Sequence, residues 1–214
     1  MPISVEAIII VGLSYLLGSI PFGLVLTKIS GHGDIRDIGS GNIGATNVLR
    51  TGRKDLALAT LLLDAGKGAI AVLACTYSGS SDLAPLAGSA AFIGHCFPVY
   101  LKFKGGKGVA TFFGTLLAIN PLVATLSILS WLLSALLFRI SSLSALIASI
   151  AAPIFAYLLI QNLTWLYIFF MMLVIFIRHK DNISRILKGT EPKIGKKSKT
   201  DVTPPTNEGE GSAK

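Results

Sequence analysis

The feature that most constrains this chain is a series of long apolar segments separated by short polar connections. A membrane-spanning helix needs about 20 mainly apolar residues. By that measure the sequence predicts seven helices, near 4–27, 55–77, 83–101, 108–119, 121–138, 142–160 and 163–178. Only 14% of the residues are charged, whereas a soluble domain has about a quarter. The sequence therefore predicts an all-α, polytopic membrane helix bundle.

The fourth and fifth apolar segments are divided only by Asn120 and Pro121. Proline ends a helix and disfavours the helical conformation of the residue before it, so a break is expected here. If the two segments are separate, the chain has seven spans and the fourth is short. On length alone, six spans with a re-entrant segment remain an alternative.

The distribution of lysine and arginine favours seven spans. With seven spans, one face holds Lys28, Arg36, Arg50, Arg53, Lys54, Lys102, Lys104, Lys107, Arg139 and the basic residues from Arg178 onward. The opposite connections, 78–82, 119–121 and 161–164, contain neither residue type. Because such an excess marks the cytoplasmic side, we expect the N-terminus outside and the C-terminus in the cytoplasm.

The same distribution assigns the net charge of +8 to membrane orientation rather than to nucleic-acid binding. The N-terminus has no basic region and no small-residue cleavage pattern, so we expect a retained first span. Residues 1–194 are predicted to form the membrane domain. Residues 195–214 are predicted to be a disordered basic and polar tail.

A run of small and polar residues, Gly39 to Arg50, lies between the first two apolar segments. Its glycines let backbone N–H groups turn towards a ligand. Four of its side chains add donors and acceptors, namely Ser40, Asn42, Thr46 and Asn47. Arg50 supplies a planar cation that holds phosphate through two parallel hydrogen bonds. The run predicts an anion site, the alternative being a flexible connecting loop.

Two further polar groups are predicted on the same face. Residues 102–108 read Lys-Phe-Lys-Gly-Gly-Lys-Gly, and residues 178–185 carry a second basic group with His179 and Asn182. Together with the Gly39–Arg50 run they can close around one site at the membrane surface. The glycine-lysine loop lacks the earlier glycine and the following Ser or Thr of a nucleotide P-loop, so only the phosphate-binding physics is expected to apply.

Three other sequence patterns give little support to a function. Gly39 to Gly44 matches G-x-G-x-x-G but follows a membrane span rather than a strand, which excludes a dinucleotide fold. His32 and Asp37 have the spacing of a His-x4-Asp acyltransferase pattern, which arises often by chance. Cys75 and Cys96 lie in apolar segments and are expected to be reduced packing residues.

Charged residues inside the second span are the remaining feature. Asp64 and Lys67 are three residues apart and so lie on one helical face. Charges in a bilayer are costly and usually pair or line a functional cavity, and both readings stay open here. His95 in the third span has the same alternatives, with helix packing favoured over catalysis.

The residues together resemble a known family. The resemblance rests on Gly18-Ser19-Ile20-Pro21-Phe22-Gly23, on Gly39 through Arg50, on Gly94-His95 and Phe97-Pro98 running into 102–111, and on Arg178-His179, Asn182-Ile183, Arg185, Gly189 and Glu191. These motifs, in order over about residues 10–195, resemble the bacterial acyl-phosphate:glycerol-3-phosphate acyltransferases, the PlsY type. Position 32 has no fixed histidine in that family, which weakens the His-x4-Asp reading further.

The resemblance implies transfer of a fatty acyl group from acyl phosphate to the 1-hydroxyl of sn-glycerol 3-phosphate. The products would be lysophosphatidic acid and inorganic phosphate, in the first acylation step of phospholipid synthesis. The implied catalytic residues are Ser40, Arg50, Lys107, His179 and Asn182. The implied substrate-binding residues are Gly41, Asn42, Thr46, Asn47, Lys104, Gly105, Gly106, Gly108 and Glu191. Of these, Glu191 is expected to tie the tail segment down.

The resemblance also implies a multi-pass protein of the bacterial plasma membrane with its site facing the cytoplasm. No metal-ligating cluster and no cofactor are expected, so activity should not need added divalent ions. An acyl phosphate is labile, which leaves open transient docking of a soluble enzyme that makes it. The alternatives from other classes are a transporter, with Asp64 and Lys67 as a midplane site, and a purely structural membrane subunit.

Overall fold

The structure is a computed structural model that describes residues 4–195, and the predicted disordered tail lies outside these residues apart from Gly195. The described chain is helical. Its α-helices are α1 (Val5–Gly18), α2 (Phe22–Ile29), α3 (Ala45–Val48), α4 (Lys54–Tyr77), α5 (Ala84–Cys96), α6 (Val109–Ile119), α7 (Pro121–Phe138), α8 (Ser141–Leu159), α9 (Thr164–Arg178) and α10 (Lys180–Leu187).

Most of the predicted apolar segments appear as helices with closely similar bounds. Five stretches of the described chain are long and apolar enough to cross a bilayer, namely Val5–Ile29, Lys54–Tyr77, Ser81–Leu101, Pro121–Phe138 and Ser141–Leu159. Two apolar helices are shorter, Val109–Ile119 and Thr164–Arg178. The predicted break before Pro121 is confirmed, because Asn120 is extended and its side chain caps α7.

The prediction of one unbroken helix over 4–27 was wrong. The first apolar stretch divides into α1 and α2, with Ser19 to Pro21 between them. Pro21 has no N–H to continue the hydrogen-bond ladder, and its ring disfavours the helical conformation at Ile20. At this break the Ile20 carbonyl accepts from the Phe22 N–H at 3.2 Å, and a lysine side chain described below also donates to it.

Small residues bring the helices close together. Gly18 on α1 faces Ala91 on α5, and Gly114 on α6 faces Ala65 on α4. At both glycines an added Cβ would overlap the facing backbone. Lipid tails are as apolar as leucine, so close backbone approach at small residues is the usual source of helix association in a membrane.

The polar connections meet at one end of the bundle, here called the polar end. Leu101, just before the glycine-lysine loop, packs against the apolar cluster that contains Leu24 and Val48. Ile194 N–H donates to the Arg139 carbonyl at 2.7 Å, which ties the last described residues to the α7–α8 turn. At the opposite end, Ser80 donates a hydrogen bond to Glu6.

Candidate active site

Asn47 organises the first loop of the polar end. Its side-chain oxygen accepts from the Ser40 N–H at 3.0 Å and from the Ser40 hydroxyl at 3.2 Å. Its side-chain nitrogen donates to the carbonyls of Ile35 and Ile38, both at 2.9 Å. The buried amide thus closes residues 35–47 into one unit. Because both ends of the amide are used, this geometry favours loop support by Asn47 over direct substrate contact.

Arg50 lies across the same loop. It follows α3, in a short 3-10 turn, and its guanidinium packs against Gly39, where an added Cβ would meet Arg50 at 2.6 Å. Gly39 has a φ of 56°, which favours glycine at this position. Among residues 4–195 no hydrogen bond or ion pair occupies the guanidinium of Arg50. The cation is therefore held in place by packing and left available for an anion.

The Gly105–Gly108 loop is folded onto the end of α5. The N–H of Gly106 donates to the carbonyl of His95 at 3.0 Å. Arg178, from the end of α9, donates to the carbonyls of Gly105 and Gly106 at 2.6 and 2.9 Å. The Arg178 guanidinium also lies 5.3 Å from the centre of the Phe97 ring. Two helices and a cation–π contact thus fix the loop.

Gly108 begins α6 in the left-handed region, with a φ of 83°. An added Cβ there would also strike the ring of Phe92. Only glycine fits both requirements without strain. This turn directs Lys107 out of the loop and towards α10.

Lys107, Asn182 and Glu191 form a connected chain of side chains. Lys107 Nζ donates to Asn182 Oδ1 at 2.5 Å, and Asn182 Nδ2 donates to Glu191 Oε1 at 2.5 Å. The same carboxylate accepts from Ser142 at 2.6 Å and from Arg185 at 2.6 Å. Glu191 therefore joins α8 and α10 to the last described segment.

The surroundings of Lys107 and Glu191 shift the pKa values of both side chains. Burial lowers the pKa of the Lys107 ammonium to about 8, although the Glu191 carboxylate opposes the fall. Burial alone would raise the pKa of Glu191, but hydrogen bonds from Ser142, Asn182 and Arg185 outweigh it and the pKa is lowered. At neutral pH the cluster thus keeps a cationic lysine beside an ionised glutamate.

His179 lies between α9 and α10 and is buried. Its Nδ1 is 2.8 Å from the carbonyl of Ile175. A carbonyl only accepts, so Nδ1 carries the proton and Nε2 is the acceptor of the neutral ring. Burial lowers the pKa of His179 to about 4, against the effect of that hydrogen bond. The ring is therefore neutral and weakly basic at pH 7.

The remaining predicted residues lie on the surface of the two loops. Ser40, Gly41, Thr46 and Lys104 are exposed, and Asn42 is half-buried. Leu101 links the two loops through its packing, while direct contacts join the glycine loop to the α9–α10 segment. The structure therefore brings Lys107, Asn182, His179 and Glu191 together and places Ser40 and Arg50 in a neighbouring loop.

His32 and the residues near it make local contacts. His32 bonds to the carbonyl of Ser30 within its own turn, and Asp34, not Asp37, pairs with Arg36 at 2.6 Å. Among residues 4–195 there is no group of three or more metal-ligating side chains.

Three residues were missed as site residues by the sequence reasoning, Arg178, Arg185 and Ser142. The two arginines flank predicted residues within one motif, which is a usable signal. Ser142 follows an apolar segment with no signal of its own.

Known proteins share this sequence and this fold. The chain is 58% identical over 201 residues to a glycerol-3-phosphate acyltransferase of Caulobacter vibrioides, covering 92% of each chain. It is 60% identical over 187 residues to a protein of the same name from Paramagnetospirillum magneticum, covering 87% of this chain and 93% of the relative.

Solved structures agree with the sequence relatives. The fold matches a crystal structure of PlsY (YgiH), an integral membrane glycerol 3-phosphate acyltransferase, in its glycerol 3-phosphate form. The TM-score is 0.84 at 39% identity, over 89% of this chain and 96% of that chain. A lysophosphatidic acid form of the same protein matches with a TM-score of 0.82 at 38% identity and the same coverage. Residues 8–189 match the glycerol-3-phosphate acyltransferase family as a whole, and this integral membrane protein belongs to that family.

Proposed function

We propose that this chain transfers a fatty acyl group from acyl phosphate to the 1-hydroxyl of sn-glycerol 3-phosphate. The observation that carries the proposal is the 2.5 Å contact between Lys107 and Asn182. It joins a glycine loop, suited to phosphate, to the buried polar segment after α9. A cation grouped with amide and imidazole side chains suits a phosphorylated alcohol, since the cation binds the phosphate and the other groups hydrogen-bond to the hydroxyls.

In this proposal Lys107, His179 and Asn182 hold glycerol 3-phosphate, with Arg50 reaching the same substrate from the neighbouring loop. The backbone of residues 40–42 and of the glycine loop surrounds the phosphate groups. The 1-hydroxyl oxygen attacks the acyl carbonyl carbon, and the bond from that carbon to the phosphate oxygen breaks. An acyl phosphate already has a good leaving group, so the protein mainly positions two anions and offsets their charge.

The hydroxyl proton leaves with the phosphate in this scheme, and no side chain is an obligatory base. This scheme is supported by the pKa of His179. His179 is the candidate base among the clustered side chains, but burial lowers its pKa to about 4. A group that weak accepts a hydrogen bond more readily than it removes a proton from an alcohol. Its role is then to orient the hydroxyl.

Replacing His179 with alanine tests this assignment. We expect the KM for glycerol 3-phosphate to rise about tenfold, the value of one hydrogen bond, with turnover at saturation largely kept. His179→Gln, which keeps an acceptor near the position of Nε2, should lie closer to the wild type. A fall in kcat of about 10²-fold or more with normal binding of both substrates would instead make His179 the base.

The lowered pKa of Lys107 predicts a pH dependence. The ammonium form holds the phosphate, and it is fully present below pH 7 and lost as pH rises through about 8. The KM for glycerol 3-phosphate should therefore rise about tenfold between pH 7 and pH 9. Steady-state kinetics across this range would measure it. The Lys107→Arg variant stays charged and should show no such rise; a parallel rise in both proteins would assign the effect to another group.

We also propose seven spans, with the N-terminus outside and the polar end in the cytoplasm. The short α6 is supported as a crossing by its pairing with α7, because Lys107 before α6 and Arg139 after α7 both contact the same 179–195 segment. Labelling of single cysteines in cells would test this. Lys188→Cys should react only from the cytoplasmic side and Ser78→Cys only from outside.

The donor is the part of the function that most needs its own experiment. Purified protein would be given glycerol 3-phosphate with palmitoyl phosphate or with the palmitoyl thioester of coenzyme A. We expect lysophosphatidic acid only from the acyl phosphate. Product from the thioester alone would contradict the proposed donor.

The acyl chain would enter sideways from the inner leaflet, since burial in lipid is favoured by about 0.8 kcal/mol per methylene.

A further inference from the structure

Three ionisable side chains form a buried cluster that the proposed reaction does not use. Asp64 and Lys67 lie on α4 and His95 on α5, with exposures of 2%, 1% and 4%. Lys67 Nζ is 2.9 Å from Asp64 Oδ1, and His95 Nδ1 is 3.5 Å from the same oxygen. Charges placed this deep in a membrane protein are costly and are usually retained for a function.

One end of the cluster contacts the break between α1 and α2. Lys67 Nζ donates to the carbonyl of Ile20 at 3.0 Å, and it lies 5.8 Å from the centre of the Phe22 ring. Ile20 lies at the break between α1 and α2, and its carbonyl also accepts from the Phe22 N–H within the turn. Lys67 therefore ties α4 to the junction between α1 and α2.

The other end of the cluster lies under the glycine loop. Gly106 contacts the imidazole of His95 so closely that an added Cβ would overlap Nε2 and the adjoining ring carbons. The Gly106 N–H also donates to the His95 carbonyl. A continuous line of contacts thus runs from Ile20 through Lys67, Asp64 and His95 to Gly106.

The pair of Asp64 and His95 has the arrangement of a carboxylate–imidazole base, but the packing does not suit that role. In such a pair the second ring nitrogen faces the substrate. Here the backbone of Gly106 covers Nε2, and the ring is buried. His95 is therefore placed to support the loop rather than to accept a proton.

We propose that Asp64, Lys67 and His95 are positioning residues that hold the Gly105–Lys107 loop in the conformation that binds the phosphate of glycerol 3-phosphate. The inference rests on the proposed function, because that function assigns Lys107 to this substrate. Asp64 lies beside the imidazole, with Oδ1 3.5 Å from Nδ1, and Lys67 holds Asp64 against the α1–α2 junction. The imidazole packs under Gly106 and sets its distance from the end of α5.

The test is the kinetics of His95→Ala beside His95→Gln, whose amide reaches the position of Nε2. We expect His95→Ala to raise the KM for glycerol 3-phosphate about ten- to hundredfold, with kcat within about threefold of the wild type. His95→Gln should recover most of the loss. Val72→Ala is the matched control, because Val72 is buried on the same two helices, on α4 against Gly88 of α5, and belongs neither to the cluster nor to the loop. It should leave the KM unchanged.

A second variant probes the contact itself. Gly106→Ala forces a methyl group into the imidazole, so its KM should rise as well. In a protein that also carries His95→Ala, the added methyl group has room. The double variant should therefore bind glycerol 3-phosphate more tightly than the two single losses added together predict. Strictly additive losses would show that the His95 ring does not set the loop.

Binding of glycerol 3-phosphate without the donor separates this inference from the proposed function. We expect glycerol 3-phosphate to raise the unfolding temperature of the wild type and of Val72→Ala, and not of His95→Ala at the same concentration. Equal protection of all three proteins, or a loss confined to kcat, would overturn the positioning role. If the wild type is protected but transfers no acyl group, the proposed reaction fails while the loop assignment stands.

Discussion

Replacing Lys107 with methionine should reduce acyl transfer at low glycerol 3-phosphate by about 10²–10³-fold, as expected for removal of one charged group from a half-buried anion site. Lys107 contacts the buried segment after α9 through Asn182, at 2.5 Å. Within the described residues, no other lysine of the glycine-lysine loop makes such a hydrogen bond. Methionine keeps the length and apolar volume of the stem but removes the charge. The initial rate at fixed palmitoyl phosphate measures the effect.

The matched control for this substitution is Lys188→Met. Lys188 follows α10 and is exposed, and within residues 4–195 it makes no side-chain hydrogen bond or ion pair. Its loss should leave the rate within about twofold, because an isolated exposed charge contributes little. Equal losses in both variants would show that the rate follows the overall positive charge of the polar end. No loss in Lys107→Met would remove Lys107 from the site.

Breaking the Asp64–Lys67 pair should cost the fold more than any change on the polar surface. Asp64→Asn leaves a buried ammonium without its counter-ion, and Lys67→Met leaves a buried carboxylate. Each should destabilise the protein by about 3–5 kcal/mol, the usual penalty for removing one partner of a buried pair. The measurement is thermal unfolding in detergent of each variant and of the double variant Asp64→Asn/Lys67→Met.

The double variant decides whether the penalty comes from the unpaired charge. With both charges gone, the polar groups that remain are neutral, and stability should recover to a large part of the wild-type value. Single losses that add in the double variant would mean that the two side chains do not interact. Recovery of stability without recovery of the KM for glycerol 3-phosphate is the pattern expected for a support that also positions the loop.

The sequence predicted the helical segments well because long apolar runs have few folds in a membrane. The break before Pro121 followed from the proline, and the separate short span after residue 108 followed from the proline together with the distribution of lysine and arginine. The break at Pro21 was not predicted, because the surrounding residues are apolar on both sides and the run reads as one span. The structure shows in addition that Lys67 of α4 donates to the Ile20 carbonyl at this break.

The sequence predicted which polar segments come together better than it predicted their contacts. Lys107, Asn182 and Glu191 do come together, although they are far apart in sequence. Asn47 shows where the prediction fell short. An amide in an anion-binding motif predicts a ligand contact, whereas in the structure both ends of the Asn47 amide are hydrogen-bonded within the loop. Partners such as Ser142 and His95 depend on which helix faces pack, and one chain's sequence does not contain that information.

Phosphate release by the purified protein, given palmitoyl phosphate with and without glycerol 3-phosphate, tests the central claim most directly. We predict release that requires glycerol 3-phosphate, yields lysophosphatidic acid, persists in a metal chelator and disappears in Arg50→Ala. Arg53→Ala, an arginine paired with Asp55 at the surface, should behave as the wild type. Absence of turnover, together with uptake of a labelled anion into proteoliposomes, would contradict the acyltransferase and favour a transporter.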